Sequence, residues 1–143
     1  MKKLIVPLAL LLLAACGQKV KTAQDASQAD SLKQEPLALI EFPEGDDFDF
    51  GTYYEKEVKT HDFLVHNPGK VPLVINLVET SCGCTKASGP KKPIFEGQTD
   101  TIHVTYDGDG FTEGFWAKYV RIHANIIDGT RDLRIRGSYY DNQ

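Results

Sequence analysis

"FWAKYVRIHANIIDGTRDLRIRGSYY", residues 115–140, decides the fold of this chain. Residues 115–125 and 131–140 read as two long strands. "IDGT" (127–130) separates them, and Asp128-Gly129 between two alternating runs is a strong hairpin signal, because both central positions of the favoured two-residue turn need φ > 0. Upstream, the same period of two recurs. "TDTIHVTYD" (99–107) puts Ile102, Val104 and Tyr106 on one face. "LALIEF" (37–42), "FDFGTYY" (48–54) and "VKTHDFLVHN" (58–67) are further strand candidates. "PLVINLVET" (72–80) is β-branched and apolar on both faces, which predicts a central, buried strand.

Turn signals fall between these runs. "NPGK" (67–70) combines a proline-fixed φ with a permissive glycine. "SGPKKP" (88–93) and "DGDGFTEG" (107–114) read as loops. About seven strands, turns every 8–12 residues and no helical period predict an all-β, antiparallel, immunoglobulin-like β-sandwich over residues 37–143. The Cys…Trp…Cys order of antibody domains is absent, since the single tryptophan, Trp116, follows both domain cysteines.

The N-terminus speaks to compartment. Lys2 and Lys3 precede an apolar run from Leu4 to Leu13. About ten residues are too few to span a bilayer and suit a signal peptide. Leu13-Ala14-Ala15-Cys16 follows, a lipobox-like sequence that predicts a lipoprotein signal peptide over residues 1–15 and a lipidated Cys16. Two or more acyl chains hold a protein stably on a membrane. Gly17, rather than Asp, follows the cysteine, which resembles lipoproteins sorted to an outer membrane; the expected location is the outer membrane of a Gram-negative cell, facing the periplasm. Residues 16–36 are polar, poor in apolar side chains and read as a flexible tether.

Loss of residues 1–15 takes the formal charge from −4 to −6. An acidic domain argues against nucleic acid as partner. The expected partners are the membrane, through the lipid, and an unknown envelope protein or polymer. A monomer is expected.

The remaining two of three cysteines stand in "TSCGCTK" (80–86) as Cys82 and Cys84. Four readings stay open. The pair can close a local disulfide, with a bend at Gly83 shortening the span between alternate residues. Such a tight ring would be easily reduced, which makes a redox-active dithiol the second reading. Two thiolates also suit a soft ion such as Cu(I), whereas zinc requires further ligands. His61, His66, His103 and His123 exist, but none lies at zinc-site spacing. The fourth reading is structural: two small side chains and a glycine that let a strand cross between sheets.

Other clusters carry less chemistry. "DGDG" (107–110) loosely matches a calcium loop, but its twelfth position is Lys118 instead of glutamate. Glu44 with Asp46 and Asp47 form a carboxylate group, and Arg131, Arg134 and Arg136 a basic stripe that suits either contact with an anionic polymer or partner or pairing with Asp and Glu across the strand. Tyr53, Tyr54, Tyr139 and Tyr140 sit as pairs near strand ends. No catalytic arrangement and no cofactor motif is apparent.

"DFGTYYEKE", "HDFLVHNPGKVPLVINLVETSCGCT" and "PIFEGQTDTIHVTYD" together resemble the domain-of-unknown-function family DUF1573 over roughly residues 40–137. The resemblance rests on Phe50-Gly51, the Asn67-x-Gly69 turn and Ser81-Cys82-Gly83-Cys84-Thr85. Glu96-Gly97 stands where the family usually has Pro-Gly. The resemblance implies an immunoglobulin-like lipoprotein of the bacterial envelope and no reaction. The expected function is a non-enzymatic, lipid-anchored binding or scaffolding module. The alternative is thiol-based redox or copper handling by Cys82 and Cys84.

Overall fold

The computed structural model describes residues 36–108 and 113–141. The expected signal peptide, Cys16, nearly all of the expected tether and Asp109 of the DGDG turn lie outside the described residues. Among the described residues there are seven strands and no helix. They are β1 (Asp47–Tyr53), β2 (Lys59–His66), β3 (Ile75–Thr80), β4 (Thr85–Ser88), β5 (Thr99–Tyr106), β6 (Gly114–Ala124) and β7 (Thr130–Tyr139). One sheet has the order β1-β7-β6-β3 and the other β2-β5-β4.

The hairpin centred on Asp128-Gly129 forms β6 and β7, antiparallel from Gly114↔Tyr139 to His123↔Thr130. Gly129 takes φ 70°, the left-handed conformation the turn requires. Alternation then sorts the side chains. Trp116, Val120, Ile122 and Ala124 of β6 and Leu133, Ile135 and Tyr139 of β7 point inward. Phe63 and Val65 of β2 and Ile102, Val104 and Tyr106 of β5 face them from the second sheet. Each fully buried aliphatic or aromatic side chain contributes about 1.5–3 kcal/mol of transfer free energy, so this double layer is the core.

The sandwich is the one expected, with three differences in detail. First, residues 37–42 form no strand. Ala38 N donates to Asn125 O (2.8 Å), beyond the end of β6, while Glu41 bridges His66 of β2. A segment shared between the two sheets pairs fully with neither. Second, β3 lies at a sheet edge and is not a buried central strand: Leu77 is half exposed. Third, β1 runs parallel to β7, with Asp47↔Arg134 and Tyr53↔Tyr139 in register, so one pairing is not antiparallel. The unpredicted β4 keeps the count at seven.

Two asparagines tie the end of the sandwich where residues 36–42 enter. Asn67 is fully buried; its Nδ2 donates to Val71 O (2.9 Å) and Ile94 O (2.8 Å), and its Oδ1 accepts from Gly69 N (2.9 Å). Asn125 Oδ1 accepts from Val74 N (2.8 Å), and its Nδ2 donates to Pro72 O (2.9 Å). Loop backbone groups buried without such partners would each be costly.

Candidate functional site

β3 belongs to the four-stranded sheet and β4 to the three-stranded sheet. The segment between them, residues 81–84, therefore carries the chain from one layer to the other. Cys82 and Cys84 are joined there by a disulfide with a Cα–Cα separation of 5.3 Å. Both are half-buried, and Cys84 packs against the core. The backbone of this corner is fixed without the sulfurs. Thr80 Oγ1 donates to Cys82 O (3.1 Å), Thr85 N to the same oxygen (3.4 Å), and Asp107 N to Cys84 O (3.1 Å). Ser81 N donates to Tyr119 O and Tyr119 N to Ser81 Oγ, both at 3.0 Å. Buried Thr85 places its Oγ1 3.4 Å from Cys82 Sγ.

Gly83 lies in the turn between the two cysteines. Its φ is not in the left-handed region, and a Cβ built there would meet nothing within 4 Å. Neither the bend nor the packing requires a glycine. The chain turns because hydrogen bonds hold its flanks.

The corner borders the outer face of the four-stranded sheet. Glu79, Thr80, Ser81, Tyr119, Arg121 and Asp132 line a groove of about 550 Å³. Register builds it: Glu79 stands opposite Arg121, and Arg121 opposite Asp132. Arg121 Nε and Nη2 reach Asp132 Oδ1 and Oδ2 at 2.8 and 2.9 Å. That fork is the main reason the Asp132 carboxyl titrates below its ordinary value and the Arg121 guanidinium above its own. Next along the face, Arg134 and Arg136 both reach Asp47, and Arg136 Nη1 meets Asp49 Oδ2 at 2.8 Å. The Arg134 hydrogen bond holds the Asp47 carboxyl below its usual range. Arg134 and Arg136 of the stripe are thus neutralised by aspartates. Exposed Phe115 (69%), Leu77 (50%) and Tyr119 (48%) share this face.

The four histidines lie in separate environments. His61 stacks on Phe48 (centroids 3.6 Å apart) and meets the edge of Phe63, and burial lowers its pKa. His66 Nδ1 lies 3.1 Å from Gln98 O and 3.2 Å from Thr99 Oγ1. His103 contacts Asp62, and His123 contacts Glu79, each at 2.7 Å. Among the described residues no three metal-ligating side chains come together. Asp107, from the weak calcium motif, lies 3.7 Å from Lys86.

The tyrosine doublets split. Tyr53 and Tyr139 are buried with centroids 5.7 Å apart, while Tyr54 and Tyr140 are exposed. Tyr106 stacks on Trp116 at 4.1 Å. Lys59 Nζ lies 4.3 Å over the Tyr53 ring. Burial pushes the Tyr53 hydroxyl up to about 12. Sequence reading missed the groove because its six residues come from three segments. The hairpin centred on Asp128-Gly129 nonetheless dictates the Arg121–Asp132 pairing once strand register is counted outward.

Solved structures share the fold. A protein of unknown function from Porphyromonas gingivalis W83 matches with TM-score 0.63 and 17% identity, over 78% of this chain and 51% of that one. The VesB protease of Vibrio cholerae matches with TM-score 0.53 and 12% identity, over 78% of this chain and 33% of that one. The seventh PapD-like domain of human CEP192 matches with TM-score 0.51 and 10% identity, over 96% and 100%. The chain spans about half the length of the first and a third of the second. At these identities the likeness concerns the fold alone. No curated protein matches the sequence. The family model described as "Protein of unknown function (DUF1573)" matches residues 40–139.

Proposed function

Because this chain belongs to the DUF1573 family, whose description names no reaction, we propose its function from its surface: a non-enzymatic module of the cell envelope that binds a protein partner through the outer face of its four-stranded sheet. The observation that carries this is the composition of that face. It combines exposed Phe115, Leu77 and Tyr119 with a groove and with arginines already matched by aspartates. Aromatic side chains among paired charges suit a protein interface. Neutralised arginines on a chain of net charge −4 do not suit a polyanion.

The module is anchored by lipid on Cys16, at the outer membrane and facing the periplasm. The apolar run ending in Leu13-Ala14-Ala15-Cys16 and the following Gly17 support this reading. Cys16→Ser releases a folded domain from membranes; continued sedimentation with membranes overturns the anchor. The binding face is tested in cells with a photo-crosslinking amino acid at Tyr119, and with a control at His103 on the other sheet. Adducts of discrete size from Tyr119 alone support the assignment. Equal yields at both positions, or none at Tyr119, reject it.

A further inference from the structure

Three features of the Cys82–Cys84 corner belong together. The bridge cross-links nothing distant: its partners are two residues apart, and loop-closure stabilisation shrinks with the length of the loop closed. The bend it spans is already held by hydrogen bonds from Thr80, Thr85 and Asp107 to the two cysteine carbonyls. Glycine costs conformational entropy, yet Gly83 sits where neither φ nor packing calls for it. A side chain at position 83 would stand between the two bridged cysteines. A structural role explains none of these.

We propose that Cys82–Cys84 is an exchangeable disulfide that accepts two electrons from a cysteine pair on an extended protein segment, seated in the groove of Glu79, Tyr119, Arg121 and Asp132. This rests on the protein-binding reading of that face. Thr80 and Ser81, the two residues before Cys82, line the groove, so a segment lying in it ends at the stretch of chain that carries the bridge.

The step balances without a further reagent. A partner thiolate forms a bond to Cys84 Sγ, the Cys82–Cys84 bond breaks, and Cys82 leaves as thiolate. Thr85 Oγ1, 3.4 Å from Cys82 Sγ, is placed to donate a hydrogen bond to that thiolate. The partner's second thiolate then attacks its own sulfur in the mixed disulfide and releases Cys84. The partner gains a disulfide, this chain holds two thiols, and the two protons of the partner's thiols end on the chain or in solvent. Because the backbone bonds of the corner omit the sulfurs, the reduced pair stays close together.

The test uses the full chain in detergent, with disulfide state read by mass after rapid acid quenching and alkylation. In a glutathione buffer the native bridge equilibrates while the protein remains folded. An extended peptide with two cysteines is oxidised one-for-one, about tenfold faster than dithiothreitol at equal concentration. Gly83→Val sets a branched side chain between the two cysteines and slows both reactions by about tenfold, with the thermal midpoint unchanged because a Cβ there meets nothing beyond its chain neighbours within 4 Å. A bridge that is reduced only when the domain unfolds overturns the proposal, as does a Gly83→Val rate equal to that of the original chain. Equal peptide and dithiothreitol rates overturn the groove's part, and with it the protein-binding reading, while leaving exchange itself standing.

Discussion

Arg134 of β7 and Asp47 of β1 face each other across the single parallel pairing among the described strands, and their side chains form an ion pair there. Arg136 reaches the same carboxylate from the next outward position. The aspartate's folded-state pKa is depressed, chiefly by the Arg134 hydrogen bond. A depressed carboxyl stabilises the fold above its unfolded pKa and loses that contribution as pH falls through the folded one. Asp47→Asn is therefore less stable than the original chain at neutral pH, and the difference closes in acid. Urea midpoints at about pH 7 and about pH 3 measure it; a difference that grows in acid contradicts the assignment.

Tyr53 gives the opposite limb. Its hydroxyl, buried and raised to about 12, favours the neutral folded form. That stability is complete below the unfolded value of about 10 and is lost as pH rises toward the folded value. Tyr53→Phe flattens the alkaline fall in stability. Tyrosinate absorbance during a pH titration follows the late ionisation of Tyr53 as the component that Tyr53→Phe removes.

Asn67 donates two hydrogen bonds to buried carbonyls and accepts one from Gly69. Asn67→Ala leaves the Val71 and Ile94 oxygens without those donors. The expected loss is about 2–4 kcal/mol by chemical unfolding. A loss below about 0.5 kcal/mol shows that water replaces the side chain.

A Cβ at Gly137 would lie 3.0 Å from Trp116 Cζ2 and 3.2 Å from the Gly51 carbonyl oxygen. The tryptophan is wedged among Phe50, Tyr53 and Tyr106, so it has little room to yield. Gly137→Ala costs about 1–3 kcal/mol and alters the tryptophan fluorescence.

Replacing both Cys82 and Cys84 by serine lowers stability by no more than about 2 kcal/mol, at the low end of what disulfide loss costs small secreted domains. The domain stays folded because its corner is held by backbone bonds. Collapse of the fold in this variant would mean that the bridge is structural.

Much of the sandwich was legible because its strongest signals are local. Asp128-Gly129 and alternation about it dictate β6 and β7, and Ile102, Val104 and Tyr106 turn inward as their period requires. The errors arise where local pattern and long-range pairing diverge. Residues 72–80 are apolar on both faces, which mimics a central strand, yet Leu77 points outward from an edge. β4 has four residues, too few to show a period, and it exists because β5 offers it an open side. The parallel partnership of β1 with β7 joins residues nearly ninety positions apart, and no turn announces it. At the site, the sequence singled out Cys82 and Cys84 by spacing, whereas the groove beside them exists only through strand register.

Residues 36–42 enter beside His66 and Asn125, at one end of the strands, whereas the cysteine corner lies toward the other, next to Tyr106 and Asp107. The eight residues of β5 separate the two ends by roughly 25 Å. The domain therefore has a direction. The chain enters the sandwich at its Asn67–Asn125 end, and the Cys82–Cys84 bridge stands toward the opposite end.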